Sequence, residues 1–332
     1  MVSLRPLPFC PVAWLCLLAL LLTSAPGLAQ DHDLRAQQVA DGVYVLAGAN
    51  GLPDRDNQGR VGNLGFLVGD SGVVVIDTGS SRARGKELLA AIAAVTPLPV
   101  KAVLITHPAQ EFLFGIAAFT DRGIPVYAHP DTPRLMRQRC DHCLETLNAL
   151  LGERRMLGTR LDAPAVLPQA LPAFDWQPGG RALDVHAGPP GAVPGNLWIR
   201  DRRTGVVFSG ALLSVLRVPA VQDTRPADWQ AALQTLLQSD ISLVVPAYGP
   251  VAARHAAAGQ VPLADAVSAL AGYLAALDRT ARQLYQQDVG LAGLGDAGEL
   301  RDYADWASYP ANHRLNVFYR YLQLETEDLA AH

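Results

Sequence analysis

Short apolar runs broken by glycine turns alternate along this chain with longer stretches of helical period. Residues 43–46, 63–68 and 73–76 are strand-like, and Gly69-Asp70-Ser71-Gly72 is a turn between the last two. Leu88, Leu89, Ile92 and Val95 recur at helical spacing and predict a helix over 84–95. A strand over 101–105 runs into Thr106-His107. A helix through 116–120 and a strand over 124–128 follow. Asp131-Thr132-Pro133 opens a longer helix, with a capping residue and a proline in its first turn. Strand patterns return at 182–185, 197–200, 206–209 and 241–245, with a helix over 227–237 before the last. Two β-rich halves, each carrying helices, argue for an α/β fold in which sheet is covered by helix.

The texture changes near residue 259. Helical patterns over 263–287 and 312–324 flank a glycine-rich loop at 290–298. This part reads as a helical extension, residues 259–332, packed on a core domain of residues 30–258. Trp306, Tyr309, Phe318, Tyr319 and Tyr321 mark its packing faces.

At the other end, Arg5 precedes an apolar run over 11–22 and the small-residue pattern Gly27-Leu28-Ala29. A basic start, a short apolar centre and a small-x-small site predict a signal peptide over 1–29. The run is shorter than the ~20 residues a membrane-spanning helix needs, so no membrane association is expected after cleavage. Of the 332 residues 50% are hydrophobic and 17% charged, which excludes a disordered chain. A net charge of −4 with dispersed basic residues excludes a nucleic-acid footprint.

Five segments in order resemble the metallo-β-lactamase fold superfamily. They are Gly62-Asn63-Leu64-Gly65-Phe66 with Val75-Ile76-Asp77-Thr78-Gly79, Leu104-Ile105-Thr106-His107, Gly191-Ala192-Val193-Pro194-Gly195-Asn196, Val207-Phe208-Ser209-Gly210, and Val245-Pro246-Ala247-Tyr248-Gly249. The resemblance implies an αββα sandwich, two sheets between helical layers, followed here by the helical extension. The export signal, the stretch Arg139-Cys140-Asp141-His142-Cys143-Leu144 and the tail Asn312-His313-Arg314-Leu315-Asn316-Val317 resemble a narrower branch. These are the quinoprotein relay system zinc metallohydrolases. That likeness implies a bacterial periplasmic or secreted protein with a quinoprotein dehydrogenase system as partner.

The same resemblance shows what has been lost. Members of the fold hold zinc with a His-x-His-x-Asp-His run, which here reads His107-Pro108-Ala109-Gln110-Glu111-Phe112. Further family ligands fall on Ala192, Ala211 and Tyr248, and Asp77 matches the aspartate that orients the metal loop. Catalytic zinc needs about three protein ligands and an open position for water. Alanine and phenylalanine offer no lone pair, so no cofactor is expected. His107 is the one retained metal-ligand candidate, and Glu111 and Tyr248 are the remaining catalytic candidates. Phe112 and Tyr248 are expected to fill a vacated pocket. A cleft that holds Ala109, Phe112, Ala192, Ala211 and Tyr248 together, dry and closed, would favour a non-hydrolytic protein over a rebuilt hydrolase.

Three functions stand open on the sequence. The first is a non-hydrolytic accessory or small-molecule-binding protein. The second is a metal-dependent hydrolase rebuilt around His107, Glu111, Tyr248 or His129, for which zinc would return. The third is a thiol-redox factor using Cys140 and Cys143. Those two cysteines are placed on one helix, three residues apart and on a shared face, where export favours a local disulfide.

Overall fold

The computed structural model describes residues 34–140, 142–162, 164–166, 177–188 and 193–331. The expected signal peptide and Ala192 lie outside them. Among the described residues thirteen strands form two sheets. The first holds β1 (Gln37–Ala40), β2 (Val43–Leu46), β3 (Leu64–Val68), β4 (Val73–Ile76), β5 (Val100–Leu104), β6 (Val126–Ala128) and β7 (Ala165–Val166), side by side in that order. Neighbours are antiparallel up to β4 and parallel from β4 to β7. The second holds β8 (Leu183–Ala187), β9 (Leu197–Asp201), β10 (Val206–Phe208), β11 (Leu243–Val245), β12 (Ala252–Ala253) and β13 (Val261–Pro262), also adjacent in chain order.

Burial on both faces explains why the strands read as unbroken apolar runs rather than alternating ones. In β4, Val73 and Val75 face a core shared with helices, while Val74 and Ile76 face the core between the sheets. That inner core joins Leu67 and Leu104 of the first sheet to Val185, Ile199, Phe208 and Val245 of the second. Gly65 in β3 leaves room for this contact. A Cβ there would stand 2.2 Å from the Phe208 ring.

The first sheet is covered by α1 (Arg82–Val95), α2 (Gln110–Leu113), α3 (Ala117–Thr120), α4 (Thr132–Arg139), α5 (Cys143–Leu151) and α6 (Glu153–Met156). Ser81 caps α1 by accepting a hydrogen bond from the Arg84 N–H. The second sheet is covered by α7 (Pro226–Gln238), α8 (Leu263–Gln286), α9 (Leu294–Ala297) and α10 (Tyr309–Ala331). The order helix, sheet, sheet, helix is the αββα sandwich. The C-terminal helices continue its outer layer, burying Leu270, Tyr273, Leu277, Val317 and Tyr321 against Val207 and Val244.

Three expectations are corrected. The long helix after Asp131 is three helices, broken at Cys140 and again at Gly152, whose φ is 82°. The 290–298 loop contains the short α9. The tail helix starts at Tyr309 rather than Asn312, because Pro310 sits in its first turn, where a missing N–H costs nothing. Among the described residues no helix is long and apolar enough to cross a membrane.

Candidate functional site

The site lies where β4 and β5 end. At Asp77 the backbone turns into the left-handed region, φ 63°. Its two carboxylate oxygens accept from the Thr106 N–H and the Thr106 hydroxyl, each at 2.7 Å. That hydroxyl has one proton, which goes to Asp77, so the contact of 2.8 Å to His107 Nδ1 makes Nδ1–H the donor and Thr106 the acceptor. A chain Asp77–Thr106–His107 thus fixes the imidazole tautomer and leaves Nε2 without its proton. Burial pushes the Asp77 carboxyl up to about 7, against the pull of its Thr106 bonds. Burial alone takes His107 down to about 3.

Around His107 the former donor positions 109, 112 and 211 are apolar, while Glu111 and Tyr248 keep a polar group. The Phe112 ring is fully buried, 4.4 Å from the His107 ring and 5.3 Å from the Tyr248 ring, centroid to centroid. Its carbonyl accepts from the Thr78 N–H and hydroxyl, which ties α2 to the Asp77 turn. Gly62 admits this ring, since a Cβ there would stand 2.5 Å from it. Asn63 holds the Tyr248 turn by donating to the Pro246 and Gly249 carbonyls. Asn196 holds Ala211 in place by accepting from its N–H at 2.7 Å.

Above these residues a cleft of about 360 Å³ is lined by His107, Ala109, Glu111, Ala211 and Tyr248 together. Asp77 and Phe112 are buried beneath and do not line it. The dry, closed cleft expected of a non-hydrolytic protein is not what the structure has: Ser214, Arg217, Gln222, Asp223 and Asn312 give it an open, partly polar wall. Burial raises the Glu111 carboxyl, while the nearby Arg217 charge pulls against that rise. Burial also raises the Tyr248 phenol.

Arg217 is the site residue that sequence reasoning missed. Its side chain is 4% exposed and its Cζ lies 3.8 Å from the Tyr248 ring centroid. A lone arginine inside the apolar run Leu212 to Val218 was the available signal, because a buried guanidinium demands partners.

The C-terminal helix builds the wall beside it. Asn312 donates to the Val218 carbonyl at 2.8 Å. Asn316 accepts from the Val221 N–H and donates to the Pro219 carbonyl and the Tyr273 hydroxyl. The Asn-His-Arg-Leu-Asn tail motif is therefore a clamp on the 218–221 segment.

Other candidates fall elsewhere. His129 caps a turn by accepting from the Asp131 N–H and does not line the cleft. Cys140 ends α4 and Cys143 begins α5, so they straddle a break instead of sharing one helix face. Cys140 is buried, and the half-buried Cys143 packs against the same core.

Among the described residues at the family's ligand positions, His107 and Glu111 keep a ligand-type side chain on the cleft, and Asp77 is committed to Thr106. Among the described residues no group of three or more His, Cys, Asp or Glu gathers in a way that could hold a metal. This donor set does not fit zinc.

The histidine state gives a stability test. The His107 pKa falls on folding from 6.5 to about 3, so protons favour the unfolded chain. The stabilisation is complete above pH 6.5 and drains away as pH falls toward 3. Asp77 has the opposite sign, losing stability as pH rises from 3.8 through about 7. His107→Asn keeps a donor for Thr106 but cannot be protonated. Urea titrations at pH 7 and pH 4 are expected to show a larger loss for the parent chain than for this variant. Equal losses would remove His107 from the acid response.

Comparison with known proteins agrees with this architecture. The metallo-β-lactamase from Pontibacter korlensis is 20% identical, with a TM-score of 0.54 over 73% of this chain and 98% of that one. A metallo-β-lactamase from Erythrobacter litoralis is 16% identical, with a TM-score of 0.51 over 72% and 95%. The sequence profile of the metallo-β-lactamase superfamily matches residues 58–248, more than half of the 332 residues. By this match and the sandwich it folds into, the chain belongs to the metallo-β-lactamase superfamily.

Proposed function

We propose that this protein is an exported, metal-free member of the superfamily whose cleft binds a small molecule without hydrolysing it. The observation that carries this reading is the chemistry of the cleft floor. Where family ligands converge, the described residues besides His107 and Glu111 are Ala109, Phe112, Ala211 and Tyr248; the Phe112 ring packs on His107 and the Tyr248 ring on Phe112. A hydrolase of this fold draws its nucleophile from metal-bound water, whose pKa the ion lowers to roughly 7. His107 and Glu111 alone give no three-ligand grip on such an ion. The cleft is open and partly polar, which leaves room for an occupant but does not itself separate this reading from a rebuilt hydrolase.

The experiment is elemental analysis of purified protein together with a panel of thioester, lactone and β-lactam substrates. Below about 0.1 zinc per chain and no turnover above background are expected. Stoichiometric zinc with hydrolysis would replace this reading by an enzyme.

The finer proposal is an accessory role beside periplasmic quinoprotein dehydrogenases. It rests on the export signal and on the Arg139–Leu144 and Asn312–Val317 stretches. Deletion in the host is expected to lower dehydrogenase-dependent alcohol oxidation, and unchanged oxidation would end it.

A further inference from the structure

We propose that Arg217 is a fixed cation standing in for the absent metal charge, and that the cleft seats a small organic monocarboxylate on its guanidinium. This rests on the ligand-binding reading and names the class of ligand.

The guanidinium is built in, not draped on the surface. Its Nη1 donates to the Asn50 and Gly51 carbonyls. Asn50 in turn donates from its side chain to the Val215 and Leu216 carbonyls, closing a reciprocal clamp. On the far side, the Val218 N–H donates to the Ala307 carbonyl and the Ala307 N–H to the Leu216 carbonyl. Between these ties Leu216 is held at φ 54°, a left-handed conformation that costs a leucine energy, with its side chain 53% exposed. The segment is strained so that Arg217 turns inward while Leu216 turns out.

One face of the guanidinium is covered by Tyr248. Its Nε and Nη2 have no hydrogen-bond acceptor among the described residues, yet neither is an orphan sealed away from solvent. In a residue that lines the cleft, those two N–H edges are what a carboxylate accepts in parallel. The other charged groups of the cleft decide the valence. Glu111 and Asp223 line it too, and His107 is neutral. Burial disfavours a charged Glu111, so it competes weakly for Arg217. A dianion would meet two carboxyl groups on one cation, whereas a monoanion is matched. Leu52, Val193, Ala211 and Pro219 offer the apolar surface for the rest of the molecule.

The test is isothermal titration of the purified protein at pH 7 with benzoate, its neutral analogue benzamide, and inorganic phosphate. Benzoate is expected to bind at least tenfold more tightly than benzamide, with phosphate weaker than benzoate. Arg217→Met should lose tenfold or more and Arg217→Lys less. Benzamide matching benzoate, phosphate exceeding it, no benzoate binding, or wild-type affinity in Arg217→Met would each overturn the assignment. If Arg217→Met does not fold by circular dichroism, Arg217→Lys decides, and benzoate affinity equal to that of the parent chain overturns the proposal. Zinc content and turnover are measured on the same preparation. A zinc-loaded, hydrolytic preparation sinks the ligand-binding reading itself. A metal-free, inactive one that ignores benzoate sinks the Arg217 assignment alone.

Discussion

Arg181→Met is expected to cost roughly 3–5 kcal/mol of folding stability, the range for removing one partner of a buried ion pair. Both Arg181 and Asp201 are fully buried. The guanidinium donates from Nε and Nη2 to the two Asp201 oxygens at 2.8 and 2.7 Å. It also donates to the Val68 and Asp41 carbonyls, at 3.0 and 2.8 Å. Asp201 lies in β9 of the second sheet, while Val68 ends β3 of the first and Asp41 is in the turn between its β1 and β2. One side chain therefore stitches the two sheets at their edge. Burial pushes the Asp201 carboxyl up, but the bonds from Arg181 and Thr204 outweigh it and hold the group below its usual range.

Methionine fills much of the arginine's volume and supplies none of its donors. Asp201 is then left charged in a dry place with only Thr204 to answer it. Against a total stability of about 5–15 kcal/mol, that loss should be plain as a lower urea midpoint. The double variant Arg181→Met with Asp201→Leu should regain most of it, since the penalty is the stranded charge and not the missing attraction. A loss under about 1 kcal/mol in the single variant would mean that water reaches the pair after all. Arg181 does not line the cleft, so ligand binding should survive wherever the variant stays folded.

The sheets and the first covering helix were legible because local pattern and tertiary role coincide there. Val73-Val74-Val75-Ile76 is apolar on both faces, and both faces are buried. Leu88 and Ile92 face the core that their helical spacing implied. The ligand positions were legible as losses because Ala109, Phe112, Ala211 and Tyr248 sit inside readable backbone motifs. The break between α4 and α5 was not legible. Cys140 leaves the helical region at φ −109°, and both cysteines pack on the same core, a tertiary preference with no local mark. Asp and His near the break are weak helix formers, which permits the turn without dictating it. Arg217 and the Asn312–Asn316 clamp were invisible for a related reason. Their partners are carbonyls far along the chain, from Asn50 and Gly51 for the arginine and from Val218 and Pro219 for the clamp. Backbone acceptors carry no residue identity, so no pairing of side-chain types announces them.

Phe112→His combined with Tyr248→His is expected to turn a chain that ignores zinc into one that binds it stoichiometrically. The reasoning is geometric. His107 and the rings at 112 and 248 already converge, with centroids 4.4 Å apart for His107 and Phe112 and 5.3 Å for Phe112 and Tyr248. Imidazoles sharing a tetrahedral zinc at Zn–N of about 2.0–2.1 Å place their centroids about 5 Å apart. The tautomer is right as well, because Thr106 engages Nδ1 of His107 and leaves Nε2 to ligate. The apo double variant should be less stable than the parent by about 2–4 kcal/mol, since a buried phenyl ring is lost. Zinc at a hundred times its dissociation constant should return about 2.7 kcal/mol. Arg217 complicates this in an informative way. Its charge lies against the ring at 248, so it repels a divalent ion there. Adding Arg217→Met to the double variant should tighten zinc further, even though the same change should weaken benzoate tenfold or more in the parent chain. Equilibrium dialysis with zinc separates the outcomes. If the double variant takes up no zinc, the three rings do not mark a former coordination sphere. If the added arginine change leaves zinc affinity untouched, the guanidinium does not occupy the metal's electrostatic place.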